Sequence, residues 1–128
     1  MTPSQAFFTV HRDLPREGPG LAQDVWWALD VADLAEDAHI LDAACGPGAD
    51  TVTLAEACMK AQIDAIDITP HFVMAARERI APFGTRVLAR EGDYTMLDAQ
   101  YDLIWCAGAA YMKGMLPVLN AWRDHLNA

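Results

Sequence analysis

Basic residues are scarce in this 128-residue chain: nine Lys and Arg stand against eighteen Asp and Glu, a formal net charge of -9. Binding to a nucleic-acid backbone is dominated by Lys and Arg contacts to phosphate, so a nucleic-acid partner is disfavoured. Arg77, Arg79, Arg86 and Arg90 do fall close together, and they read as a solvated helix face with its following turn. Cysteine is sparse too. Cys45, Cys58 and Cys106 are odd in number, widely spaced and without a C-x-x-C pair. That argues against a disulfide framework or structural zinc and fits a reducing, cytoplasmic compartment. His11, His39, His71 and His125 are scattered, with no pair at metal-ligand spacing on one helix face, so no metal site is expected. No apolar run approaches the roughly 20 residues of a membrane span, and no membrane embedding is expected. The first 30 residues carry charges throughout and lack the apolar core of a signal peptide, so none is expected. Internal repeats and linker-like stretches are missing as well.

What is present is apolar material, 53% of the residues, enough to bury a core in a chain long enough for one domain and not two. Pro3, Pro15, Gly18, Pro19 and Gly20 interrupt any regular element in the first stretch. From Leu21 to Leu34 the apolar residues recur at a helical period, which predicts an amphipathic helix. Residues 1–38 therefore read as an N-terminal cap segment and helix, and 39–128 as the core. Ile40 to Cys45 is a short apolar run stopped by Gly-Pro-Gly, a buried strand, and Ala49 to Met59 is helical. Ile63 to Ile68 is a second strand. Thr69-Pro70 then supplies an N-cap and a first-turn proline for a helix reaching about Pro82. Arg86 to Ala89 and Tyr101 to Cys106 are further strands, and 114–126 is helical. Strands alternating with helices in this way predict right-handed βαβ units: an α/β fold with a parallel sheet and helices on both faces.

In open α/β sheets ligands bind beyond the carboxyl ends of the strands, where strand order reverses. Gly46 and Gly48 follow the first strand and allow a tight turn, with the N–H groups of the next helix behind them. Asp67 ends the second strand about 20 residues further on, where a carboxylate can accept from two ribose hydroxyls. Together these point to an adenosine-type ligand. A dinucleotide fingerprint would want Gly or Ala where Thr51 stands, an N–H where Pro47 has none, and an apolar residue in place of Asp42. An acid at 42 suits an ammonium group, or orients the loop. A ligand with a carboxylate, an ammonium, a ribose and an adenine fits, which is S-adenosylmethionine.

The run Asp42-Ala-Ala-Cys-Gly-Pro-Gly48 resembles motif I of the class I S-adenosylmethionine-dependent methyltransferases, and Ala65-Ile-Asp-Ile-Thr-Pro70 resembles their second acidic motif. Gly92-Asp-Tyr94 is similar to the adenine-contacting motif, and Tyr101 to Trp105 to the fourth-strand motif. The blocks His11 to Gly20 and Trp105 to Tyr111 look like a bacterial subgroup of small-molecule type within the methyltransferase type 11/25 group. The resemblance implies a Rossmann-like, doubly wound sheet whose first four strands lie in the order 3-2-1-4. It implies a cofactor site at Asp42, Ala44, Cys45, Gly46, Gly48, Asp67, Ile68, Asp93, Tyr94 and Cys106. The substrate side would include Arg16 and Tyr111. No catalytic base is identified, and Cys106 is not expected to act as a nucleophile, because methyl transfer from a sulfonium needs no covalent intermediate.

Two departures from the family pattern stand out. Ala44 replaces the first glycine of motif I. The family's sheet has seven strands, whereas four are read here, leaving 101–106 as an exposed edge open to pairing with another chain. The leading expectation is methyl transfer to a small-molecule acceptor. Two alternatives stay open: an inactive half-domain that pairs with another chain, such as a homodimer through that edge, and, ranked lower, an NAD-binding module.

Overall fold

The computed structural model describes residues 21–107 and 113–127. Helix α1 spans Ala22–Ala32, and the core follows as β1 His39–Ala43, α2 Ala49–Ala57, β2 Gln62–Asp67, α3 Pro70–Ile80, β3 Val87–Glu91, β4 Leu103–Trp105 and α4 Met115–Arg123. The four strands form one parallel sheet in the order β3-β2-β1-β4, as the resemblance implied. Ile40 aligns with Ile63 on one side and Leu103 on the other, and Ile63 with Val87.

Both faces of the sheet are covered, which is why its strands read as apolar runs. On one face Ile40, Ile63, Ala65 and Val87 pack with Val25, Leu54, Val73, Ala76 and Ile80 from α1, α2 and α3. On the other, Leu41, Ala43 and Ile66 pack with Tyr94, Tyr101, Val118 and Trp122. Side chains alternate between faces along each strand, so the two cores share no strand residue.

Several boundaries differ from the expected ones, each for a local reason. β1 stops at Ala43 and not Cys45, because Ala44 turns into the left-handed region at φ 55°. Thr69 does precede α3, but its side chain makes no capping hydrogen bond; its amide instead donates to Asp67 Oδ1 at 2.9 Å. A 3-10 turn, Ala81–Arg86, separates α3 from β3, which runs on to Glu91. The arginines of this region stay partly solvated, with Arg77 exposed, and they also hold specific partners. Arg86 donates to the carbonyls of Ala55, Cys58 and Ala61, Arg77 to that of Ala89, and Arg90 pairs with Asp98.

Helix α4 ends at Arg123, short of residue 126, because the backbone beyond it is spent on Tyr101. The Tyr101 amide donates to His125 O at 2.7 Å, the Asn127 amide donates to Tyr101 O at 2.8 Å, and Leu126 lies beside Tyr101 in a parallel bridge. The edge expected at 101–106 is thereby shortened: Tyr101 is fully buried, and Leu103–Trp105 remains at the sheet margin.

Candidate cofactor site

The glycine turn after β1 is built from backbone that ordinary residues avoid. Ala44, Gly46 and Gly48 have φ of 55°, 56° and 97°, so the chain reverses sharply before Gly48 O accepts the Val52 amide and starts α2. Gly48 has a second reason to be glycine. A Cβ there would sit 3.0 Å from Ala76 Cα and 3.1 Å from Ala76 Cβ, so the close packing of α3 against the turn forbids a side chain. The turn is held to the sheet as well: the Cys45 amide donates to Ile66 O at 2.9 Å.

Asp67 closes this corner. Its Oδ2 accepts the Gly46 amide at 2.8 Å and its Oδ1 accepts the Thr69 amide at 2.9 Å, with the residue 8% exposed. The β1–β2 register explains the meeting: Ala43 pairs with Ile66, so the residues just after each strand end face one another. A carboxylate offers about four lone-pair sites, so two backbone donors leave capacity for two more. Ile68, the next residue, is 71% exposed, and the Gly92 amide donates to Asp67 O at 3.0 Å. The β3 loop therefore enters the same corner.

Asp42 lies beneath the turn, almost wholly buried, and accepts the Thr51 hydroxyl at 2.6 Å. This contact ties the end of β1 to the first turn of α2. Cys45 is buried beside it, its thiol pushed well above the usual range by burial and then by the charges of Asp42 and Asp67. It is inert as a nucleophile at neutral pH.

On the far side, Asp93 Oδ1 accepts both the amide and the hydroxyl of Thr95, at 2.9 and 2.6 Å. Its Oδ2 accepts Lys113 Nζ at 2.7 Å. The lysine contact first, and the threonine contacts after it, lower the carboxyl to a pKa of about 2. Tyr94 does not face this corner as a free platform. Its ring packs against Trp122, centroids 6.1 Å apart, and its carbonyl accepts Trp122 Nε1 at 2.8 Å, so it is a residue of the second core. Cys106 follows β4 at the same end of the sheet and packs half-buried against that core. Arg16 and Tyr111 lie outside the described residues.

Three arrangements escaped the sequence reading. Asp50, buried in the first turn of α2, accepts Trp105 Nε1 at 2.9 Å and so joins the glycine turn to the end of β4. Its position two residues past Gly48 was the available signal. Lys113 had none, because its partner is 20 residues away on another loop. Nor did the network at the opposite half of the sheet, where Asp64 Oδ2 meets His39 Nε2 at 2.9 Å and Tyr101 Oη at 3.0 Å.

A glycine turn after β1 with a carboxylate at the end of β2, on a parallel sheet of order 3-2-1-4, is the arrangement of a Rossmann-like fold. Residues 40–128 match the Methyltransferase domain family, and the chain belongs to that family. Among curated proteins it is 26% identical over 124 residues to "Putative methyltransferase YqeM" of Bacillus subtilis (strain 168), covering 94% of this chain and 48% of that protein. Among solved structures it superposes on YjhP from E. coli with a TM-score of 0.82 at 20% identity, covering 96% of this chain and 52% of the other. It also superposes on an S-adenosylmethionine-dependent methyltransferase from Geobacter sulfurreducens, solved with S-adenosyl-L-homocysteine, with a TM-score of 0.81 at 20% identity over 96% and 51%. The chain thus spans about half the length of these relatives.

Proposed function

We propose that this chain holds S-adenosylmethionine for methyl transfer to a small-molecule acceptor. The observation that carries the reading is the 2.8 Å hydrogen bond joining the Gly46 amide to the Asp67 carboxylate at the carboxyl ends of β1 and β2. The cofactor supplies an activated methyl group on a sulfonium. Asp67, with acceptor capacity left after its two backbone donors, would take the ribose hydroxyls. The turn 44–48 would receive the amino-acid end, Ile68 would cover the adenine, and Asp93 would accept its 6-amino group. Asp42 acts through the turn, holding it to Thr51. The chemistry left to the protein is positioning and exclusion of water. Alignment of this kind supplies about 7–11 kcal/mol in well-oriented systems.

Calorimetry with S-adenosylhomocysteine tests the proposal. Asp67→Ala should weaken binding by roughly 1.5–3 kcal/mol, the loss of a charged acceptor. Because Asp67 also holds the Gly46 and Thr69 amides, Asp67→Asn serves as a second variant, with circular dichroism confirming that each is folded. Unchanged affinity in a folded variant refutes the ribose assignment.

A second reading is favoured by β4, which lies at the margin of the sheet formed by the described residues. In it, further strands come from another chain, a second copy among the candidates, along Leu103–Trp105. Sedimentation at several concentrations decides: a strict monomer that binds the cofactor product removes this reading.

A further inference from the structure

We infer that Lys113 is a built-in competitor for the adenine end of the site, holding the Asp93 oxygen that an incoming 6-amino group must use. The inference rests on the reading of Asp93 given above. Asp93 Oδ1 is already committed to the Thr95 amide and hydroxyl, so a further donor must approach Oδ2. There the Lys113 ammonium sits at 2.7 Å. A cation is a stronger partner for a carboxylate than a neutral amino N–H, so a ligand does not share this oxygen without cost.

The contact is nonetheless easy to open. The Lys113 side chain is 40% exposed and that of Asp93 27%, and ion pairs this exposed are weak and screened by salt. From this same position Nζ also lies 5.6 Å from the centre of the Tyr94 ring, so the ammonium touches carboxylate and ring at once. Leaving Asp93, the ammonium keeps the face of an aromatic ring whose own position is fixed by Trp122. The pair bridges the β3 loop and the approach to α4. Base binding exchanges that bridge for a contact with the ligand.

The consequence is an affinity set below what the pocket alone would give. Lys113→Met keeps the length of the side chain and removes its charge. It should bind S-adenosylhomocysteine about two- to fivefold more tightly than the parent, the range that exposed ion pairs span. Salt gives an independent signature. Between about 50 and 500 mM NaCl, where the Debye length shrinks severalfold, the parent's affinity should rise relative to that of Lys113→Met. Equal or weaker binding by Lys113→Met, or a parallel salt response, overturns the competition while leaving the cofactor reading intact. A parent that binds no S-adenosylhomocysteine overturns the cofactor reading and this inference with it. Asp93→Asn that binds as tightly as the parent removes Asp93 as the base contact, and competition for it falls too.

Discussion

Gly48→Ala should be among the most damaging single-methyl additions to this protein, and the structure says why in two independent ways. The residue has φ 97° and ψ 16°, a conformation that costs an L-residue about 1–2 kcal/mol. The new Cβ would also meet Ala76 Cα at 3.0 Å and Cβ at 3.1 Å, atoms of a buried helix position that cannot swing aside. Forcing a methyl group into packed surroundings costs about 1–3 kcal/mol. Stiffening of the unfolded chain returns only about 0.4–1 kcal/mol. The expected net loss is about 2–4 kcal/mol, a large share of the 5–15 kcal/mol typical of a domain.

Equilibrium unfolding in urea, followed by Trp fluorescence, measures the effect. Trp122 is 7% exposed and reports on the core. With m about 2 kcal/mol/M for a chain of this size, the midpoint should fall by about 1–2 M at unchanged slope. In an Ala76→Gly background the 3.1 Å contact disappears but the backbone contact stays, so Gly48→Ala should cost less there without becoming neutral. A midpoint within about 0.2 M of the parent's, well inside the predicted range, would refute both the strain and the packing argument.

The neighbouring turn residue should respond with the opposite sign. Ala44→Gly relieves a left-handed alanine at φ 55° and should raise stability by about 0.5–1 kcal/mol, read as an upward shift of the same midpoint. Arg86→Ala releases the carbonyls of Ala55, Cys58 and Ala61 between the end of α2 and β2 and should cost about 2–4 kcal/mol in urea unfolding, with Arg86→Lys recovering less than half because a shorter side chain ending in a point charge lacks the planar fork that spans these acceptors. Tyr101 ionises at about 12 in the folded chain, raised by burial and then by the Asp64 charge. The folded state therefore binds more protons than the unfolded one from pH 10 to 12, and stability falls across that window; Tyr101→Phe should flatten the fall in pH-dependent unfolding.

The strands and their burial on both faces were legible because such strands read as largely apolar runs, and because glycine turns and Thr-Pro mark where they stop; the strand order came from the family resemblance. Ile40 to Ala43 and Ile63 to Ile66 carry that signal directly. What stayed hidden was whatever depends on register between distant segments: Trp105 with Asp50, Lys113 with Asp93, Tyr101 with Asp64 and with Leu126. Each pair is separated by 20 or more residues, and no local spacing encodes it.

Gly48 shows how the legible and the hidden parts depend on each other. From the sequence, its glycine reads as the means to a tight turn; in the structure, the absent methyl group is also required by Ala76 on α3. The same glycine fixes where α2 begins, and with it the Thr51 hydroxyl that Asp42 holds at 2.6 Å. On the other flank, β1–β2 register brings the Gly46 amide to Asp67. The corner is therefore shaped before any ligand arrives, by helix packing on one side and strand pairing on the other. On the reading proposed above, binding free energy would then not be consumed in ordering the turn.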